Sequence, residues 1–169
     1  MTKFTLAQQK DLPRIVDIYN QAIPGRLATA DLEPVSIASK QAWFDAYTPD
    51  KRPLWLIQDD QEQTIGWVGL ESFYGRPAYQ HTAEISIYLD SAVAHHGYGR
   101  QALSFVETQL TGLKLDTLVA FIFHHNIPSQ HLFLHHGFQQ WAHLPEVALM
   151  DGQLRDLDIL GKQYPKITA

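Results

Sequence analysis

Hydrophobic positions recur along this chain with two periods, one typical of strands and the other of helices. In the segment 82–89 every second residue is apolar, and polar or aromatic residues stand between them. Strict alternation of this kind predicts a half-buried strand. In the segment 12–22 the apolar positions are three and four residues apart, which predicts an amphipathic helix.

The same periods, together with turn residues, predict eleven elements. Asp11 is expected to cap the first helix, with Pro13 in its first turn, and Gly137 to end the last helix. Helices are expected at 11–22, 36–47, about 98–110 and 129–136, and strands near 4–6 and at 54–58, 64–72, 82–89, 118–123, 138–144 and 154–160. This order predicts an α/β fold (α+β mixed): a mostly antiparallel twisted sheet of about seven strands flanked by about four helices, in a single domain over residues 1–169.

The composition excludes several classes of protein. Of the 169 residues 45% are hydrophobic, the net charge is −5 and Cys is absent. An acidic balance disfavours nucleic acid as a partner, and the lack of Cys excludes disulfides and thiolate metal sites. No apolar run is long enough to span a membrane, and residues 1–10 lack the apolar core of a signal peptide. The sequence therefore predicts a cytoplasmic protein with no membrane partner.

A loop with two glycines joins the strand at 82–89 to the next helix. Gly97 and Gly99 allow positive φ and a close approach of the backbone. Such a loop directs several N–H groups, at the positive end of a helix dipole, to one point that suits a pyrophosphate. The glycines of a dinucleotide fingerprint and the Gly-Lys-Ser/Thr of a P-loop are missing. A tight strand-to-helix turn is the alternative for these two glycines.

A second candidate ligand wall follows the buried strand at 118–123. It comprises Asn126, Ser129 and the pair Gly137-Phe138. Together with the glycine loop, these residues resemble the GNAT superfamily of N-acetyltransferases, and within it the phosphinothricin acetyltransferase branch. The matching segments are 11–22, 33–36, 42–44, 76–88, the glycine loop and 157–160.

The resemblance implies acetyl-CoA as the co-substrate. The strands at 82–89 and 118–123 would be parallel neighbours that separate after a bulge, and the pantetheine arm would occupy the gap between them. Asn126 would bind the pantetheine, and Ser129 would cap the last helix near it. The remaining cofactor contacts would come from the backbone, at Ile87, Tyr88 and Leu89 for the pantetheine and at His95, His96, Gly97, Tyr98, Gly99 and Arg100 for the pyrophosphate.

Glu84 is the candidate catalytic base. An amine is mostly protonated at neutral pH and attacks only after it loses a proton, which a carboxylate in a partly desolvated cleft accepts. The resemblance places a Glu of this role here, and a solvated strand carboxylate is the alternative. The backbone N–H of Leu89 is the candidate donor to the developing oxyanion.

Two loop residues are candidate substrate contacts, Arg76 and Tyr74. An arginine at position 76 would clamp the carboxylate of an amino-acid-like substrate. Relatives often carry a second Arg where this chain has Tyr74. Two further departures are Phe133, where the branch often has a proton donor to the leaving thiolate, and Ala94, where it has Gln or Arg.

Nine His residues raise the question of a metal. They are clustered at His95-His96, at His124-His125 and in the segment 131–136. Neighbouring His point to different faces, no acidic ligand follows in zincin spacing and Cys is absent, so no native metal site is expected. His95 and His96 are expected to replace the basic residues that usually flank the phosphates.

Three functions are consistent with these features. The leading one is acetylation of the primary amine of a small molecule, an amino-acid analogue. The alternatives are acetylation of a protein or peptide N-terminus, and a non-enzymatic CoA-binding sensor. A homodimer is also expected, since an apolar loop near the C-terminal hairpin would be buried between subunits; it carries Trp141, Leu144, Val147, Leu149 and Met150.

Overall fold

The computed structural model describes residues 1–93 and 95–167. Within them lie seven strands and four α-helices, with short 3₁₀ turns between some of them. The strands are β1 (Lys3–Leu6), β2 (Leu54–Gln58), β3 (Thr64–Ser72), β4 (Thr82–Leu89), β5 (Thr117–Phe123), β6 (Gln139–Met150) and β7 (Gln153–Gln163), and the helices are α1 (Leu12–Ala22), α2 (Ile37–Asp45), α3 (Tyr98–Leu113) and α4 (Ile127–His135).

The strands form one sheet in the order β1-β2-β3-β4-β5-β7-β6. Neighbours are antiparallel except for β4 and β5, which are parallel. The mixed, mostly antiparallel sheet expected from the sequence is confirmed, and β2, β3 and β4 have the predicted bounds.

Helices cover both faces of the sheet. On one face α1 packs Ile15 and Ile18 onto Trp67 of β3, and partly buried residues of α2 join this cluster. On the other face Leu103 of α3 and Phe133 of α4 belong to the larger core. Because side chains alternate along a strand, the even-numbered residues of β4 face α1 and α2, and the odd-numbered residues face α3. No helix among the described residues is long and apolar enough to cross a membrane.

One predicted helix cap is confirmed in position only, and another is wrong. Asp11 is the N-cap residue of α1, but its carboxylate accepts from the N–H of Gln8 at 2.8 Å and makes no capping bond to α1. The last helix begins two residues earlier than predicted, and its N-cap is Asn126, which accepts from the N–H of Ser129 at 3.3 Å. Pro128 explains the earlier start, because a proline fits the first turn of a helix, where its missing N–H has no partner to lose.

The predicted loop after residue 144 is also wrong. Residues 139–150 form a single strand, and the turn to β7 lies at Asp151 and Gly152. Two register shifts interrupt the pairing of β6 with β7, which explains why the alternation along residues 145–150 is too irregular to predict a strand. Met150 is buried and does not belong to the expected apolar surface.

Candidate active site

The gap between β4 and β5 is the first feature of the site. The parallel pairing ends at Glu84 and Val119, whereas β5 stays paired with β7 as far as Phe123. Beyond Glu84 the free edge of β4 therefore borders a cavity of about 60 Å³. The cavity is lined by Leu27, Ala28, Ile85, Ser86, Ile87, Tyr88, Ala120, Phe121, Ile122, Asn126, Ser129 and Phe133. The expected separation is present, but the expected bulge is not, since β4 pairs with β3 in unbroken register.

Backbone groups of β4 point into this gap. The N–H of Asp90 donates to the carbonyl of Ile65 at 2.8 Å, so that N–H faces β3. Directions alternate along an antiparallel strand, and the N–H groups of Leu89 and Ile87 therefore face away from β3, toward the gap. Leu89, the predicted oxyanion donor, has its N–H on the required edge.

The glycine loop uses its two glycines differently from the prediction. Gly97 has a φ of 80° and is the N-cap residue of α3, where no side chain caps the helix. Gly99 lies in the first turn, and a Cβ there would come within 2.9 Å of Leu132 Cδ2, so its role is close packing of α3 on α4 rather than positive φ. His95, with a φ of 66°, is the second left-handed residue of the loop. The departure noted at Ala94 lies outside the described residues.

The segment between α1 and α2, which the sequence analysis did not single out, forms one wall of the cavity. Three of its carbonyls accept hydrogen bonds from residues at the gap. Tyr88 Oη donates to Ala28 at 2.8 Å, Asn126 Nδ2 donates to Leu27 at 3.1 Å, and His125 Nε2 lies 2.8 Å from the Arg26 oxygen. Every residue type has a backbone carbonyl, so no sequence motif predicts this wall.

Glu84 lies immediately before the cavity, half-buried, on the face that Ser86 and Tyr88 share. Its cross-strand neighbour is Glu71 of β3. Burial, and after it the charge of Glu71, raises the pKa of Glu84 to about 7. A carboxylate with such a pKa accepts a proton readily near neutrality, as a general base requires.

Aromatic rings cover the neighbouring part of this face. Trp67 stacks on Tyr88 with centroids 4.6 Å apart, and Trp43 contacts Trp67 at 5.4 Å. Tyr19 contacts the other side of Tyr88 at 5.1 Å. Trp43 is partly buried and packs against the core cluster of this face.

These features, an open edge of β4, a glycine loop and a carboxylate beside them, match a known family. Residues 3–139 match the acetyltransferase (GNAT) domain family. This chain is a GNAT acetyltransferase. Members of the family use acetyl-CoA, and the chain is an acetyl-CoA-dependent N-acetyltransferase.

Two relatives and one solved structure are similar to this acetyltransferase over most of its length. The chain is 44% identical over 158 residues to the Bacillus subtilis protein named "Putative phosphinothricin acetyltransferase YwnH", covering 94% of this chain and 96% of that protein. It is 29% identical to the L-methionine sulfoximine/L-methionine sulfone acetyltransferase of Pseudomonas paraeruginosa, covering 89% and 87%. A crystal structure described as that of "a putative phosphinothricin N-acetyltransferase" superposes with a TM-score of 0.94 at 42% identity, covering 98% of this chain and 100% of that one.

The two candidate substrate contacts of the acetyltransferase do not line the cavity at the gap. Tyr74 is exposed and packs against Phe73 and Tyr79. Arg76 lines a larger open cavity of about 680 Å³ at the other end of β4. That cavity has no acidic residue in its lining and five basic or His residues, which are Lys51, Arg52, Arg76, His81 and Lys114.

Phe133 is buried in the acetyltransferase and packs edge-on against Phe138, with centroids 4.9 Å apart. It lines the cavity without a proton to donate. Tyr88, which also lines the cavity, keeps its proton at neutral pH because burial, with the charges of Tyr19, Asp31 and Glu71 after it, raises its pKa.

The histidines of the acetyltransferase form a cluster that the sequence analysis missed. His124, His143 and Asp158 place ligand atoms within 4.8 Å of one another, although they lie in three separate segments. The buried carboxylate of Asp158 accepts from His124 Nδ1 at 2.7 Å and His143 Nδ1 at 2.6 Å, and from Gln130 Nε2 at 2.9 Å. His131 and His135, one turn apart on α4, contact through their rings, and His135 Nδ1 lies 2.8 Å from the His131 carbonyl.

Proposed function

We propose that this acetyltransferase transfers the acetyl group of acetyl-CoA to the primary amine of a small amino-acid analogue, with Glu84 as the base. The observation that carries the proposal is the end of the β4–β5 pairing at Glu84, which sets a carboxylate directly beside an open strand edge. The names of the relatives, which include acetyltransferases of phosphinothricin and of methionine derivatives, support this class of acceptor.

The cavity and its edges fit acetyl-CoA. The free edge of β4 offers the N–H groups of Ile87 and Leu89 to an extended pantetheine arm, as a missing strand would use them. Gly97 has open space where a Cβ would stand, and the first-turn N–H groups of α3 lack a side-chain cap. These groups would bind the pyrophosphate together with His95, His96 and Arg100, whose side chains are exposed. Asn126 and Ser129 line the cavity at the pantetheine position.

The chemistry follows from the placement of Glu84 and Leu89. Acetyl-CoA supplies the acetyl group as an activated thioester. Glu84 accepts a proton from the ammonium group, and the neutral amine then attacks the carbonyl carbon. The N–H of Leu89 stabilises the negative charge that develops on the carbonyl oxygen. The C–S bond breaks, and the attacking nitrogen releases its second proton to solvent as the amide forms. Because Phe133 has no proton to give, the thiolate takes a proton from water, or from Tyr88, which water then reprotonates.

A panel of acceptors assayed by release of free CoA tests the proposal. It contains phosphinothricin, L-methionine sulfoximine, L-methionine sulfone, simple alkylamines and a short peptide with a free N-terminus. We expect turnover with the amino-acid analogues. Turnover with the peptide alone would establish N-terminal acetylation instead, and acetyl-CoA binding without turnover on any amine would favour a sensor.

We also propose that the enzyme is a homodimer formed through β6. This strand is the outermost of the sheet, and its exposed apolar side chains are Trp141, Leu144, Val147 and Leu149, with Leu154 of β7 beside them. An exposed apolar edge strand favours association with a second copy. Light scattering at micromolar concentration tests this, since a mass of one 19.2 kDa chain with full activity would contradict it.

A further inference from the structure

Two glutamates occupy opposite positions on the neighbouring strands β3 and β4. Glu71 and Glu84 are register partners, and the alternation that turns the N–H of Asp90 toward β3 makes them a hydrogen-bonded pair, with Cα atoms about 5.5 Å apart. Both side chains are half-buried on the face toward α1 and α2. Like charges directly opposite each other destabilise a sheet, so the fold gains nothing from this pair.

A buried hydroxyl lies beside the two carboxylates. A Cβ at Gly69, the neighbour of Glu71 on the same face, would come within 2.7 Å of Tyr47 Oη, so this hydroxyl lies over Gly69. Burial raises the pKa of Glu71, and hydrogen bonding from the buried Tyr47 hydroxyl opposes this rise. Ser86, next to Glu84, is the register partner of Gly69. The Tyr47 hydroxyl uses one acceptor position of the Glu71 carboxylate, and the remaining positions are available to accept from a polar ligand.

The other charged groups near the pair make the site suited to a cation. Lys40 of α2 lies 4.5 Å from the ring centroid of Tyr19, and its charge partly opposes the rise that burial causes in the pKa of Glu71. Asp31 accepts a hydrogen bond from Tyr19 and adds a third carboxylate on this side. The two carboxylates and the neighbouring aromatic faces form a surface that attracts an organic cation.

We propose that Glu71 is a specificity-determining residue, which with Glu84 forms a carboxylate pair that binds the ammonium group of the acceptor. The inference rests on the proposed function for the transfer step. It selects acceptors that are cationic at neutral pH, such as alkylammonium groups, over neutral aromatic amines.

The charge balance of the pair explains how it serves both binding and proton transfer. Two half-buried carboxylates this close resist being ionised together, so they share a proton near neutrality. A bound ammonium group supplies the positive charge that lets both ionise. In the reaction the ammonium and the thioester give the amide, free CoA thiol and one proton, and Glu84 holds that proton until it reaches solvent.

Carbon-13 NMR of the labelled glutamate carboxyls tests the pair without any substrate. We expect Glu71 and Glu84 to titrate as a coupled pair in the wild type, and the apparent pKa of Glu84 to fall by about one unit in Glu71→Gln. The control is Glu62→Gln, which removes the same charge from an exposed pair with Lys3 before the other end of β3. An unchanged Glu84 titration in Glu71→Gln would overturn the pairing.

Kinetics with the best acceptor from the panel tests the binding role. In Glu71→Gln we expect KM for the amine to rise about tenfold, with a smaller change in kcat and unchanged affinity for acetyl-CoA. The rising limb of kcat/KM should shift to lower pH, and Glu71→Asp should restore much of both effects. An unchanged KM and pH limb would overturn the role of Glu71 and leave the acetyltransferase activity established. Absence of turnover on every amine would instead overturn the proposed function, while the NMR result still decides the pairing.

Discussion

Asn126 and Leu27 are joined across the mouth of the cavity, although 99 residues separate them in the sequence. The amide of Asn126 donates through Nδ2 to the Leu27 carbonyl at 3.1 Å. Its Oδ1 accepts from the N–H of Ser129 at 3.3 Å. One buried side chain therefore fixes the first turn of α4 and the wall between α1 and α2 at the same time.

Replacing Asn126 by Asp separates these two functions. The carboxylate keeps the oxygen that caps α4, but it has no N–H for Leu27 and repels that carbonyl. We expect acetyl-CoA affinity, measured by calorimetry, to weaken about tenfold, the size of one hydrogen bond to a polar group. The control is Ser36→Ala, which removes the N-cap of α2 at a cost of about 1 kcal/mol. Equal affinities in Asn126→Asp and the wild type would show that the wall does not support the cofactor.

Replacing Glu84 by Gln should remove the base and keep the shape. We expect kcat/KM to fall by about 10²-fold or more, with acetyl-CoA affinity nearly intact. Glu146→Gln, on the exposed surface of β6, is the matched control. Glu84→Gln should also have a larger free energy of unfolding than the wild type above pH 7. A folded-state pKa raised to about 7 means that folding opposes ionisation of Glu84, and glutamine escapes this penalty. Wild-type turnover across pH would mean that Glu84 is only a strand residue.

Replacing Gly97 by Val should strain the glycine loop. A φ of 80° is left-handed, and a β-branched residue there costs about 1–2 kcal/mol. Gly152, in the turn between β6 and β7, has a φ of 78° and equally open surroundings, so Gly152→Val imposes similar strain far from the cofactor loop. We expect both variants to unfold at lower urea concentration, and only Gly97→Val to bind acetyl-CoA more weakly. Loss of affinity in both variants would refute a local role of the loop.

The cluster around Asp158 should stabilise the fold at intermediate pH and lose this contribution at both lower and higher pH. Burial opposes the charge of Asp158, but hydrogen bonds from His124 and His143 outweigh it and lower the pKa of the carboxyl. Stability from this carboxylate is complete above its unfolded pKa and is lost as pH falls through the lower folded value. The hydrogen bond to Asp158 chiefly raises the pKa of His143, so stability from the imidazolium is complete below its unfolded pKa and is lost as pH rises through the folded value.

Urea unfolding of Asp158→Asn checks this behaviour. The loss of stability relative to the wild type should be largest between about pH 4 and 6.5, the ordinary pKa values of Asp and His, and should shrink on each side. His135→Asn, which removes an exposed imidazole that lies 2.8 Å from the carbonyl of His131 in its own helix, should show no such maximum. A loss that does not vary with pH would contradict the ionic account of the cluster.

Local pattern determined most of the fold. The alternation that predicted β4 gave its bounds without error, since every second side chain enters the core. The cap of α4 was misplaced because Asn126 and Ser129 are both good cap residues and only the position of Pro128 distinguishes them. The last six residues of β6 were not predicted as a strand, because the register shifts break the alternation on which the prediction depends.

Some residues of the site were predicted from the sequence and others were missed. Glu84 and Leu89 were reached through the resemblance to the GNAT superfamily, and the glycine loop through its residue types and their spacing. Glu71 was missed, although the register of β3 and β4 places it opposite Glu84, because the length and shape of the loop at 73–81 decide that register. Asp158, His124 and His143 were missed since each is unremarkable in its own segment and only the sheet brings them together.

The wall between α1 and α2 has a consequence for how this enzyme can diversify. Its carbonyls at positions 26–28 are bonded to Tyr88, His125 and Asn126, and Arg26 also pairs with Asp151 at the tip of the last hairpin. Backbone acceptors tolerate almost any side chain at their own positions, so this stretch is free to vary in sequence while its path stays fixed. We expect libraries randomised at Leu27 and Ala28 to yield altered acceptor preferences in folded protein more often than libraries randomised at Asn126.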